Sequence, residues 1–180
     1  MVAQGFTVFD TAIGWCGIAW GEHGIVGAQL PEGSEQATRD RLRRRFPDAE
    51  ETVPPAAARQ AIDGVTELLR GTAVDLSDVE LDLAGVPAFH RRVYEVARTI
   101  PPGSTLTYGD VAHRLNAPGS ARAVGQALGS NPFAPIVPCH RVLAANGGTG
   151  GFSAGGGTAT KLRMLTIEGA RADEPALFDL

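Results

Sequence analysis

Pro138-Cys139-His140-Arg141-Val142 sets a thiol, an imidazole and a guanidinium side by side. Thiolate is the reactive form of cysteine, and neighbouring basic or cationic groups ease loss of its proton, so Cys139 has the surroundings of a nucleophile. Taken alone the pair reads first as a buried core cysteine, because free cysteine packs as a small apolar side chain. Two charges elsewhere stand against local helix preference. Arg122 falls in the first turn of a helix expected over 121–128, where the helix dipole disfavours a cation by about 0.3–1 kcal/mol. Glu168 falls in the last turn of a helix expected over 158–168, the wrong end for an anion. A carboxylate there needs a partner, and an imidazole that must keep one tautomer needs a carboxylate, so Glu168 is expected to pair with His140. A surface glutamate bonded to nothing in particular is the alternative.

The elements that must hold these groups divide at Gly85-Val86-Pro87 into units of 1–86 and 87–180. In the first, 6–9, 13–20 and 25–30 are β-prone, and Gly21-Glu22-His23-Gly24 suits a hairpin turn. Cys16 is expected as a buried strand residue. A helix is expected over 34–46, with Arg39, Arg41, Arg43, Arg44 and Arg45 on a solvated face; a second covers 56–69 and stops at Gly71, and a short strand follows at 79–83. In the second unit a helix over 88–99 ends at Pro101-Pro102-Gly103. Thr107-Tyr108-Gly109-Asp110 then carries a Thr-x-x-Asp capping signature that puts Tyr108 in the first turn of a short helix. Asn116-Ala117-Pro118-Gly119 breaks the chain, Ser120 can cap again, and 121–128 forms the next helix, giving a helix-turn-helix. Ala121, Ala123, Gly125 and Ala127 make that helix small-sided, so a partner surface, or another helix of the protein, can approach its backbone. The glycine-rich stretch 146–157 lacks the Gly-Lys-Ser/Thr of a phosphate loop and is expected to wall a base site or to serve as a linker. The fold class expected is α/β in the α+β sense: a small N-terminal antiparallel sheet with helices, then a mainly helical, winged helix-turn-helix-like domain that binds DNA and holds the active site.

Two cysteines and four scattered histidines in 180 residues show no metal-ligand spacing, so no metal and no disulfide framework are expected. No leader and no apolar run of ~18 residues is visible, and the expected location is the cytoplasm. The net charge of −4 is unevenly spread: residues 1–87 hold 7 Arg against 14 acids, whereas 88–168 hold 8 Lys plus Arg against 3 acids. A basic segment around the Cys-His pair suits contact with a phosphate backbone.

In order, Thr107-Tyr108-Gly109, Ser120-Ala121-Arg122-Ala123-Val124-Gly125, Ser130-Asn131-Pro132, Ile136-Val137-Pro138-Cys139-His140-Arg141-Val142, Gly151-Phe152-Ser153 and Ile167-Glu168-Gly169 resemble the O6-alkylguanine-DNA alkyltransferases. The likeness is close over 87–169. It implies that Cys139 accepts the alkyl group of O6-alkylguanine, and of O4-alkylthymine, in duplex DNA and is consumed, without a cofactor. His140 would take the thiol proton through a water, Glu168 would orient His140, and Tyr108 would donate to the departing guanine. Arg122 would fill the stack left by the flipped base, on a helix in the minor groove whose Ala121, Ala123, Gly125 and Ala127 face the DNA. Asn131 would tie that helix to the cysteine turn, Val142, Phe152 and Ser153 would line the base pocket, and Arg141 would bond between the two units. A monomer with no obligate protein partner and no membrane is implied. Phe152 stands where many members carry Tyr, and Ala154-Gly155-Gly156-Gly157 is longer than the common turn. The competing readings are an alkyltransferase-like protein that binds the lesion without transfer, and a thiol hydrolase.

Overall fold

The computed structural model describes residues 2–145 and 157–170. Strands β1 (Gly5–Thr11), β2 (Gly14–Gly21) and β3 (Gly24–Gln29) form an antiparallel meander, and β4 (Glu50–Glu51) adds a short parallel edge beside β1. Alternation along β2 sends Cys16, Ile18 and Trp20 to one face and Gly17 and Ala19 to the other. Helix α1 (Glu35–Arg45), capped by the Ser34 hydroxyl, lies on the second face through Leu42. Leu42 sits so close to Gly17 that a Cβ there would collide with it. Helix α2 (Ala56–Arg70) covers the first face. Its Ala58, Ala61, Ile62, Val65, Leu68 and Leu69 recur at helical spacing, and it stops at Gly71, whose φ of 107° a side chain would strain.

Helix α3 (Ala88–Ala97), β5 (Leu106–Thr107), α4 (Tyr108–Arg114), α5 (Ala121–Gly129), β6 (Val142–Leu143) and α6 (Gly157–Glu168) make the helical part. The expected α+β arrangement is observed. The core runs from Cys16 through Val65 and Val93 to Met164 as one cluster, so sheet and helices share their buried surface. Between them, Pro132 O accepts from Ala28 N at 2.9 Å and from Arg45 Nη2 at 3.1 Å, and Arg98 Nη2 reaches the Leu76 and Val79 carbonyls at 2.8 Å.

Three local expectations change. Residues 79–83 form no strand: a single bridge pairs Leu81 with Ile25, because Asp82 turns the chain by accepting from Ala84 N. Ser120 does not cap α5; its hydroxyl donates to Ala117 O at 2.6 Å. The arginine face of α1 is only partly solvated. Arg39 binds Glu35 and Glu51, and Arg45 turns inward onto Ala28 O, Gln29 and Pro132 O. Among the described residues no helix is long and apolar enough to cross a membrane.

Candidate active site

The parallel pairing of β5 with β6 sets Leu106 opposite Val142 and Thr107 opposite Leu143, so the start of α4 is carried to the exit of the cysteine turn. Thr107 and Asp110 complete a reciprocal capping box, which fixes Tyr108 as the first residue of α4. Helix α5 packs against α4 and α3, with Val124, Ala127 and Leu128 buried, and Tyr94 donates its hydroxyl to Ala127 O at 2.8 Å. At the end of α5, Asn131 Nδ2 donates to Val137 O at 2.8 Å while its Oδ1 accepts from Phe133 N at 2.9 Å. The chain then enters a 3-10 turn, Cys139–Arg141, closed by Arg141 N donating to Pro138 O.

Behind this turn lies a buried ionic network. His140 is fully buried, and its Nε2 lies 2.8 Å from Glu168 Oε2; the carboxylate side chain is 2 % exposed. Arg141 forks onto the same carboxylate, Nε to Oε1 and Nη2 to Oε2 at 2.8 Å each, and its Nη1 donates to Ile100 O at 2.7 Å. Burial alone would push the Glu168 carboxyl up, but the hydrogen bonds from Arg141 and His140 outweigh it and hold it at about 2. Burial pushes His140 down, against the pull of Glu168, so the imidazole is neutral at pH 7. With Nε2–H donated to an ionised carboxylate, Nδ1 carries the lone pair. It is buried and makes no hydrogen bond among the described residues.

Cys139 is 7 % exposed, and burial pushes its thiol up; a hydrogen bond with Asn131, the charge of Lys161 and backbone N–H groups pull the other way. Lys161 is itself buried, its Nζ donating to Val142 O at 2.8 Å. Burial lowers its pKa to about 8 and the sulfur raises it, so lysine and cysteine support each other's charged forms. The Tyr108 hydroxyl is pushed up by burial and by Cys139, and stays protonated. The site thus sets together a thiol near a buried cation, an imidazole whose Nδ1 is unengaged among the described residues, and a protonated phenol.

Lys161 was not foreseen. In the last helix the buried side chains are Lys161, Met164, Leu165 and Glu168, while Leu162 and Ile167 are half-buried. Two charges in one stripe at i, i+3, i+4 and i+7 were the available signal. Replacing Lys161 by Met is expected to shift the pH–rate profile of sulfur alkylation toward higher pH and to slow it about tenfold at pH 7, since removing a cation raises the thiol pKa. An unmoved profile, recorded with iodoacetamide and by mass, would contradict this.

The other expected residues fall as follows. Tyr108, Asn131, Cys139, His140, Arg141, Val142 and Glu168 are brought together. Arg122 is exposed on α5, with Ala121, Ala123 and Gly125 half-buried beside it. Ala127 does not face outward: it is fully buried and faces α3, because the helix turns that side to Tyr94. The bonds of Arg141 stay within 87–180, to Glu168 and Ile100; Arg45 and Arg98 are arginines that reach across instead. Val142 is fully buried. Phe152 and Ser153 lie outside the described residues, as do Ala154, Gly155 and Gly156. No metal-ligating cluster occurs among the described residues.

A helix-turn-helix whose second helix runs by way of Asn131 into a buried cysteine, followed at once by a carboxylate-bound histidine, defines a class: DNA-binding proteins with a cysteine site built into the fold. Residues 88–170 match the family model described as 6-O-methylguanine DNA methyltransferase, DNA binding domain. The methylated-DNA-protein-cysteine methyltransferase of Methanothermobacter thermautotrophicus is 38% identical over 153 residues, covering 85% of this chain and 78% of the relative. That of Mycobacterium bovis is 45% identical over 129 residues, 71% and 76% of the two chains. The crystal structure of Mycobacterium tuberculosis OGT in complex with DNA superposes with a TM-score of 0.71 at 36% identity, covering 92% of this chain and 93% of that one. This chain belongs to the methylated-DNA-protein-cysteine methyltransferase family.

Proposed function

We propose that this methyltransferase repairs duplex DNA by moving the alkyl group of O6-alkylguanine, and of O4-alkylthymine, onto Cys139 in a single irreversible turnover. The thiol proton passes through a water to His140 Nδ1, and the thiolate attacks the carbon on O6 in line with the breaking C–O bond. The electron pair leaves on guanine O6, and Tyr108 donates a proton to the departing base. Glu168 holds His140 in its Nε2–H tautomer, and Asn131 fixes the sulfur relative to α5. The observation that carries this reading is the Glu168–His140 bond at 2.8 Å. It places an anion at the unfavourable end of α6, where its use is to orient an imidazole next to a nucleophile.

A target atom inside a stacked duplex is out of reach of a protein sulfur, so the base is flipped out and α5 lies in the minor groove. The exposed Arg122 then fills the vacated stack. Units 1–86 and 87–180 act as support and as DNA-binding and reaction unit. The protein works as a cytoplasmic monomer without a cofactor, because the acceptor itself is consumed.

The deciding measurement is the mass of the protein after incubation with duplex carrying O6-methylguanine. One methyl group on the Cys139 peptide, without turnover, is expected; tight binding with unchanged mass would favour lesion binding alone, and repeated turnover a hydrolase. Arg122→Glu is expected to slow repair of duplex about a hundredfold while sparing reaction with free O6-benzylguanine. Equal losses on both substrates would rule out its place in the stack. For Gly125, an added Cβ would stand 3.9 Å from Tyr108 Cε1, an ordinary contact. Gly125→Ala is therefore expected to keep or raise thermal stability, by up to ~1 kcal/mol, and to weaken duplex binding through bulk on the DNA-facing side. Unchanged duplex affinity would place the minor-groove contact elsewhere.

A further inference from the structure

A cavity of about 770 Å³ lies between α3, residues 74–83 and the segments 100–102 and 135–138. Pro138 and Arg141 belong to its wall, whereas Cys139 and His140, which stand between them in sequence, do not. Most of the wall is apolar, with Val74, Leu76, Leu81, Leu83, Ile100 and Ile136 in it. Charge enters through Asp75 and Glu95 and through two arginines, Arg91 and Arg98, which lie two turns apart on one face of α3. The charge of Arg141 is already met by Glu168. Arg98 Nη2 serves the Leu76 and Val79 carbonyls, but its Nε is buried with no hydrogen-bond partner among the described residues. An apolar cavity of this size with a few polar groups on its wall has the form of a binding site.

Helix α6 brings the chain to the rim of this cavity. Its last residue, Glu168, is the anion held by Arg141, and Arg141 Nη1 reaches the carbonyl of Ile100 in the wall. Pro101 and Pro102 also line the cavity, and a Cβ added at the next residue, Gly103, would stand 3.2 Å from Glu168 O. Gly169 N and Ala170 N bond back to Thr166 O and Leu165 O, which ends the helix at this point. Residues 171–180 follow and lie outside the described residues. Among them, Leu177-Phe178-Asp179-Leu180 sets three large apolar side chains around one carboxylate. The intervening residues 171–176 span about 20 Å when extended, enough to carry that tetrapeptide into a cavity whose rim adjoins Glu168.

We propose that this cavity is the docking site of the chain's own segment 177–180, with Leu177, Phe178 and Leu180 against the apolar wall and Asp179 facing the arginines of α3. Apolar side chains gain free energy in proportion to the area they remove from water, and the wall gains with them. A carboxylate beside Arg91 and Arg98 makes charge-assisted hydrogen bonds with donors that the fold leaves available. Asp75 and Glu95 on the same wall disfavour a wholly acidic occupant, so the apolar groups supply the affinity and Asp179 the register. The docked segment ties α6 to α3 and to residues 74–83, and it covers Pro138 and Arg141 on either side of the Cys139-His140 pair. It acts on the stability of the fold around the cysteine turn and does not depend on the transfer reading above.

The test places the photoreactive residue p-benzoylphenylalanine at position 178 of the full chain and identifies the crosslinked peptides by mass after irradiation. Crosslinks within one chain to residues 74–83, 91–102 or 135–138 are expected. Crosslinks to other parts of the chain, or to a second chain in a species of doubled mass, would overturn the proposal. A second measurement titrates the native chain and Phe178→Ser with 8-anilinonaphthalene-1-sulfonate, an apolar anion. The native cavity, filled by its own segment, is expected to bind the dye about tenfold more weakly than the variant, and the variant to melt about 5 °C lower. Asp179→Arg, which sets a cation against Arg91 and Arg98, is expected to strengthen dye binding about threefold. Equal dye binding by the native chain and Phe178→Ser would mean that the cavity stands open to small ligands and would overturn the docking. Equal melting temperatures would do the same, and an unchanged affinity in Asp179→Arg would remove the arginines from the docking surface.

Discussion

Cys139→Ala is expected to bind duplex carrying O6-methylguanine and to transfer nothing, a loss on the order of 10⁶-fold, the scale seen when a nucleophile is removed. The other cysteine cannot substitute. Cys16 is 1 % exposed in the middle of β2, burial pushes its thiol up to about 12, and the polar group near it is the Thr11 hydroxyl at 3.7 Å. The substitution removes one buried sulfur and leaves the His140–Glu168–Arg141 network intact, so the cost in stability is expected at about 1–2 kcal/mol. Separate measurements of binding by gel retardation and of transfer by intact mass distinguish loss of chemistry from loss of fold. A methyl group found on any residue of the variant would refute Cys139 as sole acceptor.

Glu168→Gln is expected to have the second largest effect, on stability and rate together. Removing the negative charge leaves the Arg141 guanidinium buried beside a neutral amide, which costs about 3–5 kcal/mol for a broken buried pair. The sign of the pH dependence follows from the depressed carboxyl. Its pKa is about 2 in the folded protein against a reference of 4.5, so its contribution to stability is present above pH 4.5 and is lost as pH falls toward 2. The native protein should therefore lose stability through that window, and Glu168→Gln should show a flatter curve there. Transfer at pH 7 is expected to slow by about 10²–10⁴-fold, because His140 loses the group that fixes its tautomer. Glu168→Asp, which keeps the charge at shorter reach, should recover part of the rate. Denaturation midpoints between pH 2 and 7 check the first claim and single-turnover rates the second. A native stability that does not change between pH 5 and 2 would mean that the Glu168 carboxyl is not held low.

Family and reaction follow from ordered short motifs, and the local elements that hold them are readable because their causes are local. Thr107 and Asp110 cap α4 through atoms three residues apart, Gly71 ends α2 by its own backbone angle, and the β2–β3 turn is fixed by its glycines. The Glu168–His140 pair was also legible, since an anion at a helix C-terminus demands a partner from outside that helix. Short strands such as β5 and β6 were not, because two residues carry no periodicity and pair only where α4 and the cysteine turn already meet.

By itself the sequence determined which residues carry charge, thiol and imidazole, which segments are helical, and the order that marks the family. Tertiary structure alone decided which charges are buried and what they meet. It turned Arg141 onto Glu168, drew Arg45 inward against Pro132, buried Ala127 under Tyr94, and set Lys161 against Val142. The reason is physical: helix propensity and capping act over a few residues, whereas the free energy of a charge depends on the dielectric and partners supplied by residues tens or a hundred positions away.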